Sequence, residues 1–354
     1  MTDNTDTTMA PRLIGKPQSK LSRLFESRKL GWVAFGIAIL TPFIIATPYS
    51  LNVMTNAAIF VMLASGLNIV VGYCGLLDLG YMAFMAVGAY TAGILAKSFE
   101  LPLIFTIPAV VVMTVLAGLI IGAPTLRLRS DYLAIVTLGF GEIIRITANN
   151  LDITGGTSGI FGIPGLEIFG VDLQQPVPFY YISVVVVSLF VLAAARLGKS
   201  RIGRAWRFVR EDEDAAEAMG IHTYQAKLMA YIFGAVWGGM AGVLFAAHLS
   251  AVSPQTFVFL NSALLLMAVV LGGMGNIRGV VLGAIAISVL PELLRDFADY
   301  RYLAFGIVLV VVMVFRPQGF WPIRASEPER GITDQKSRRA TRKGNVHDWH
   351  PRGS

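Results

Sequence analysis

The sequence predicts an all-α, polytopic integral membrane protein of about ten transmembrane helices, with both termini in the cytoplasm. Three observations predict it. The 354 residues are 55% hydrophobic and only 14% charged, with a mean hydropathy of +0.64, whereas soluble domains run near 45–50% apolar and about 25% charged. The apolar residues come in blocks, several of them about 17–22 residues long with few or no charges, the length that crosses a hydrocarbon layer roughly 30 Å thick. The basic residues, finally, fall on alternate sides of those blocks. Helices are the natural spanning element, because an open sheet in lipid leaves backbone groups unsatisfied.

In chain order, residues 1–29 are polar and carry six Lys and Arg. They lack the apolar core and small-residue cleavage site of a secretory signal and read as a disordered cytoplasmic N-tail. Expected spans follow at 30–48, 52–71, 79–96, 102–122, 131–147, 178–196, 227–250, 260–273, 279–294 and 302–316. Together with their loops they make a transmembrane domain over 30–321, containing a periplasmic loop at 148–177 and a cytoplasmic loop at 197–226. Interfacial aromatics mark several ends: Trp32 and Tyr49 bracket the first span, Tyr180 and Tyr181 open the sixth, and Phe320 and Trp321 follow the last. Residues 322–354 are charged and poor in apolar side chains, a disordered basic C-tail.

Charge tests the span count. With the N-terminus inside, alternation puts 25 of the 29 Lys and Arg on the cytoplasmic side and leaves Lys97, Arg145, Arg295 and Arg301 outside. A wrong count flips part of that pattern, although eight spans plus a re-entrant pair keep the same ends. A net charge of +7 in a soluble chain would raise nucleic-acid binding; here its distribution points to the bilayer instead. The single Cys74 excludes an internal disulfide framework and a cysteine zinc cluster.

Three polar stretches interrupt the apolar pattern. In 66–81, Asn68, Asp78 and Tyr81 lie within or beside spans, where ionisable groups face a cavity or partner. They are candidates for a pathway or gate, and the competing reading makes Asp78 a helix N-cap in a tight turn. The outer loop holds Thr154, Gly155, Gly156 and Gly159, a docking surface for an external partner or a plain connector. The inner loop runs from Arg204, Trp206, Arg207 and Arg210 into Glu211, Asp212, Glu213 and Asp214, then into small helix formers closed by Gly220 as a C-cap. A short helix there offers a mixed apolar and charged face, to lipid headgroups or, given the acids, to a groove in a cytoplasmic protein. Glu142 and Arg145, three apart on a helix, pair with each other or serve a gate. Gly272 to Gly279 reads as a tight turn or close helix packing.

Catalytic chemistry finds no footing. Gly198-Lys199-Ser200 ends like a phosphate-binding loop, but Ala193 stands where its first glycine belongs and a membrane helix precedes it. No nucleophile–base set and no metal-ligand set can be placed; His347 and His350 lie in the C-tail. A transport pathway remains, either an ion-coupled secondary carrier or the pathway subunit of an ATP-driven machine. The inner loop and the scarcity of deep charges favour the second.

Several blocks resemble one family in the right order: GLNIVVGYCGLLDLGYMAFMAVGAYTAGIL (66–95), LRLRSDYLAIVTLGFGEIIRI (126–146), TGGTSGIFGIPG (154–165), RIGRAWRFVREDEDAAEAMGI (201–221), VVLGGMGNIRGVVLGA (269–284) and FRPQGFW (315–321). They are similar to the LivM-type permease subunits of branched-chain amino-acid ABC importers. The resemblance implies a multi-pass protein of the bacterial inner membrane, paired with a second homologous permease, two cytoplasmic ATPases that bind the ATP and Mg, and a periplasmic substrate-binding protein. This chain itself would hold no cofactor. The 203–221 loop would be the coupling helix, since Asp214-Ala215-Ala216 with Gly220 resembles the EAA-x-x-x-G pattern, with Asp for Glu and no downstream Ile-x-Leu-Pro. Arg204, Arg207, Glu211, Glu213, Ala215, Ala216 and Gly220 would meet the ATPase groove, and Thr154 to Gly159 the binding protein. Related urea and short-chain-amide permeases often carry GLLSLGH where this chain has Gly75-Leu76-Leu77-Asp78-Leu79-Gly80-Tyr81, which favours amino acids.

Overall fold

The computed structural model describes residues 47–126, 130–168, 171–172, 175–293 and 306, most of them helical. Apart from residues 47–48 and 306, the expected spans at 30–48 and 302–316 and both tails lie outside the described residues. Each of the eight spans between them corresponds to a helix.

Helix α1, Pro48–Leu67, starts where the Thr47 hydroxyl accepts from the Ser50 amide, with Pro48 at the first position, where its missing N–H costs nothing. Tyr49 therefore sits in the first turn of this helix rather than closing a span before it, because Thr47 and Pro48 start the helix there. Helix α1 widens into a π-helical turn over Asn68–Tyr73, and the chain then runs without helix to Tyr81. Helix α2 is Met82–Ser98, α3 Leu103–Thr125, α4 Ser130–Asn150 and α5 Pro176–Lys199. Between α4 and α5 lie a 3-10 turn, Asp152–Thr154, and strands β1 (Ile160–Phe161), β2 (Glu167–Ile168) and β3 (Val171–Asp172). Two short helices follow, α6 (Arg201–Glu211) and α7 (Glu213–Ala218), then α8 (Thr223–Leu249). Strand β4 (Ala251–Val252) and a 3-10 turn, Pro254–Phe257, lead to α9 (Phe259–Gly272) and α10 (Ile277–Leu293).

Four of the described segments are long and apolar enough to cross a membrane: Pro48–Tyr73, Leu103–Thr125, Pro176–Lys199 and Thr223–Leu249. Met82–Ser98 and Phe259–Gly272 are shorter apolar helices. Helix α8 is the hub, packed against α1, α2 and α3. Its small residues permit this: Gly88 of α2 lies directly on the Gly239 backbone, and Gly242 lies on the α2 backbone from Met85 to Ala89, with no room for a Cβ at either. Close backbone approach at glycine is how helices associate where lipid offers little hydrophobic drive. Tyr81, Phe84 and Tyr231 interlock edge-to-face beside this contact, with ring centres 5.8 and 5.4 Å apart.

The loops sort to two ends. At one, β1 pairs antiparallel with β4, Ile160 opposite Val252, and Ile163 N–H donates to Ser250 O at 3.0 Å. At the other, the 72–75 turn, the 272–276 turn and α6 converge. The expected alternation assigns these same loops to opposite sides.

Candidate functional site: the α6–α7 segment and the broken helix beneath it

Helix α6 is amphipathic and forms because Ser200 caps it, its hydroxyl accepting from Gly203 N–H at 3.2 Å. Gly203, Trp206 and Val209 face inward. Trp206 is wholly buried and donates from Nε1 to Ala226 O at 2.7 Å, tying α6 to the first turn of α8. Asp212 breaks the helix with an extended backbone, and its carboxylate accepts from Ala215 N–H at 3.0 Å to cap α7. The single short helix expected across 203–221 is therefore two. Gly220, at φ +82°, ends α7, and Ile221 N–H reaches back to Ala216 O at 3.0 Å. That is a glycine stop of the expected kind.

The residues expected to meet a partner divide. Arg204, Glu211, Ala215 and Gly220 are exposed. Phe208 and Met219, 52% and 79% exposed, add apolar contact to the same segment. The others are held by the rest of the fold, Glu213 while still exposed. Arg207 donates to Gly198 O at 2.7 Å, Ala216 is buried, and Glu213 pairs with the buried Lys227 of α8. Gly198-Lys199-Ser200 is a helix junction: Gly198 packs on the Tyr73 ring and Ser200 caps α6.

Beneath this segment the four pathway candidates fall in three places. Asn68 is buried, and its side-chain oxygen accepts from Gly275 N–H at 2.8 Å. Asp78 is also buried; it does not cap α2, which begins four residues later, but accepts from Gly80 N–H at 2.8 Å in a local turn. The hydroxyls of Thr137 and Tyr231 lie against its carboxylate. Tyr81 donates to Gly234 O at 2.7 Å, Leu79 N–H donates to Thr137, and Met82 N–H donates to Ser262 at 3.2 Å. Asp78 and Tyr81 thus belong to one polar knot joining the broken segment to α4, α8 and α9. Glu142 stands apart on α4, half exposed and held by Arg145, whose Nε donates to both carboxylate oxygens at 2.9 and 3.0 Å.

At the other end Thr154 is buried, its hydroxyl donating to Ala148 O at 2.6 Å. Gly155, Gly156 and Gly159 adopt positive φ, which glycine tolerates best. Gly159 lies against Val252, while Gly155, Thr157, Ser158 and Phe161 are exposed.

Residues 49–315 match the family described as the branched-chain amino acid transport system / permease component. The chain belongs to this family. It is 42% identical over 313 residues to the high-affinity branched-chain amino acid transport system permease protein LivM of Salmonella typhimurium, covering 81% of this chain and 73% of that protein. The LivM protein of Escherichia coli matches to the same extent. LivH of Salmonella typhimurium, a permease protein of the same transport system, is 30% identical over 122 residues, 34% of this chain and 39% of its own. No solved structure matches the chain. As a permease component the chain is a membrane transport subunit and not an enzyme.

Four contributors escaped the sequence reading. Thr137, Tyr231 and Ser262 complete the polar knot across separations of 59, 153 and 180 or more residues, which spacing cannot reveal. Lys227 carried a signal, a cation opening an apolar span, and Glu213 is what it awaits.

Proposed function

We propose that the chain is the transmembrane pathway subunit of an ATP-driven importer for branched-chain or broadly neutral amino acids in the bacterial inner membrane. The observation that carries this reading is the match to LivM proteins over most of both chains. The likeness to LivH supports pairing with a second, homologous permease. ATP and Mg belong to two cytoplasmic ATPases docked at the α6–α7 end, and a periplasmic binding protein docks at the β1–β4 end.

On this reading Arg204, Phe208, Glu211, Ala215 and Met219 present the coupling face. Arg207, Ala216 and Glu213 hold that face to the transmembrane body, and Gly220 ends it. Trp206 makes α6 a rigid lever on α8. Gly155, Gly156 and Gly159 shape the exposed turn that meets the binding protein, with Thr154 fixing its base. ATP binding closes the two ATPases and shifts the coupling segments, switching the pathway between inward- and outward-facing states. The loaded binding protein favours one state only through its differential affinity for the two.

Co-purification in mild detergent from the native membrane tests this, with proteins identified by mass. A second permease and two P-loop ATPases should accompany the chain. A chain recovered alone that transports solute without ATP is a secondary carrier; uptake of urea or short amides in place of amino acids makes it the related amide permease.

A further inference from the structure

The broken helix ends in a set of contacts that tie it to α6. In the π-helical turn and its exit, Gly75 N–H donates to Val71 O and Leu76 N–H reaches back to Val70 O. The chain then departs from the helix, and Gly72 O is met by the guanidinium of Arg210, 138 residues away at the end of α6. The stem of the same side chain packs on Gly75, where an added Cβ would stand 2.8 Å from Arg210 Cγ and where φ is +78°. Gly72 in turn is hemmed by Asn68, whose side chain holds Gly275 of the 272–276 turn. Arg210 therefore grips the non-helical 74–81 segment at its start, and Asp78 and Tyr81 anchor its far part to α4 and α8.

We propose that Arg210 is the positioning residue through which movement of α6–α7 reaches the pathway, acting on the 72–81 joint. The proposal rests on the importer reading of this segment. Arg210 is the last residue of the basic run, directly before Glu211 on the exposed face, so a partner that displaces α6 displaces the cation bound to Gly72 O. A π-helical turn followed by eight non-helical residues offers few helical hydrogen bonds to resist that pull.

The test uses the complete complex, with partner permease and ATPases, in vesicles with binding protein and ATP. Arg210→Met keeps the apolar stem on Gly75 and removes the donor; Arg210→Lys restores one donor. Leu77→Cys, in the joint, reports motion by maleimide labelling, in a chain whose one native cysteine is buried. Arg210→Met should assemble normally and hydrolyse ATP, yet lose uptake by about tenfold or more, the scale of a broken coupling. Its hydrolysis should ignore the loaded binding protein, ATP should no longer change Leu77→Cys labelling, and Arg210→Lys should recover part of each. Uptake and ATP-dependent labelling of Arg210→Met at the unsubstituted level overturn the proposal. So does failure of both variants to assemble, which makes Arg210 a folding residue only. If the unsubstituted complex does not respond to ATP, the importer reading falls instead.

Discussion

Trp206 anchors α6 to the body of the protein. Its ring is buried under α8 and its N–H satisfies a carbonyl in the first turn of that helix. Trp206→Ala should cost about 3–5 kcal/mol from the cavity left behind, whereas Trp206→Phe keeps most of the packing and loses about 1 kcal/mol with the hydrogen bond. Thermal unfolding of the detergent-solubilised complex measures both, and equal melting temperatures for the two variants would contradict this order. Glu213 shows how a charge can mislead when read without its partner. In the sequence it is one acid among several on a solvated run, and in the fold it neutralises Lys227, whose side chain is only 9% exposed. Its neighbour Glu211 is the better probe of partner contact, since its loss leaves no buried charge unpaired.

Among the elements, α8 depends on having no side chain where α2 and α3 cross it. A side chain at Gly239 meets Thr114 of α3 at once, while Gly139 of α4 has nothing within 4 Å. Gly239→Leu should cost more than the 1–3 kcal/mol or so typical of overpacking, and Gly139→Ala should be neutral or stabilising by up to about 1 kcal/mol. Size-exclusion profiles and melting temperatures check the pair; a monodisperse Gly239→Leu protein of normal stability would refute the close crossing. The four described segments long and apolar enough to cross a membrane were legible because length and apolarity alone define them. The inner structure of the polar stretches was less so. Gly220 announced its stop, since one glycine after small helix formers is a local signal. The break at Asp212 did not stand out, because Asp212 sits in a run of four acids and only the backbone turn distinguishes the capping one. The glycines of 66–81 allowed a broken helix, but not its π-helical form over Asn68–Tyr73, whose side-chain and carbonyl contacts are to the distant Gly275 and Arg210.

Across the whole molecule the fold separates two surfaces. The β1–β4 end is knit by backbone pairing between residues 90 and 92 apart, and the α6–α7 end by the Arg210 side chain, which reaches a carbonyl of the broken helix. Between them the polar knot around Asp78 and Tyr81 connects α2, α4, α8 and α9 in the interior. Such an arrangement suits the proposed importer subunit, with ATPases docked at one end and the binding protein at the other. The most direct measurement is uptake of radiolabelled leucine by the reconstituted complex, comparing the unsubstituted chain with Glu211→Lys. Uptake should require both ATP on the side of the ATPases and the binding protein, and should be lost in Glu211→Lys although the complex still assembles. Leucine uptake by the chain alone without ATP, or normal uptake by Glu211→Lys, would contradict the account.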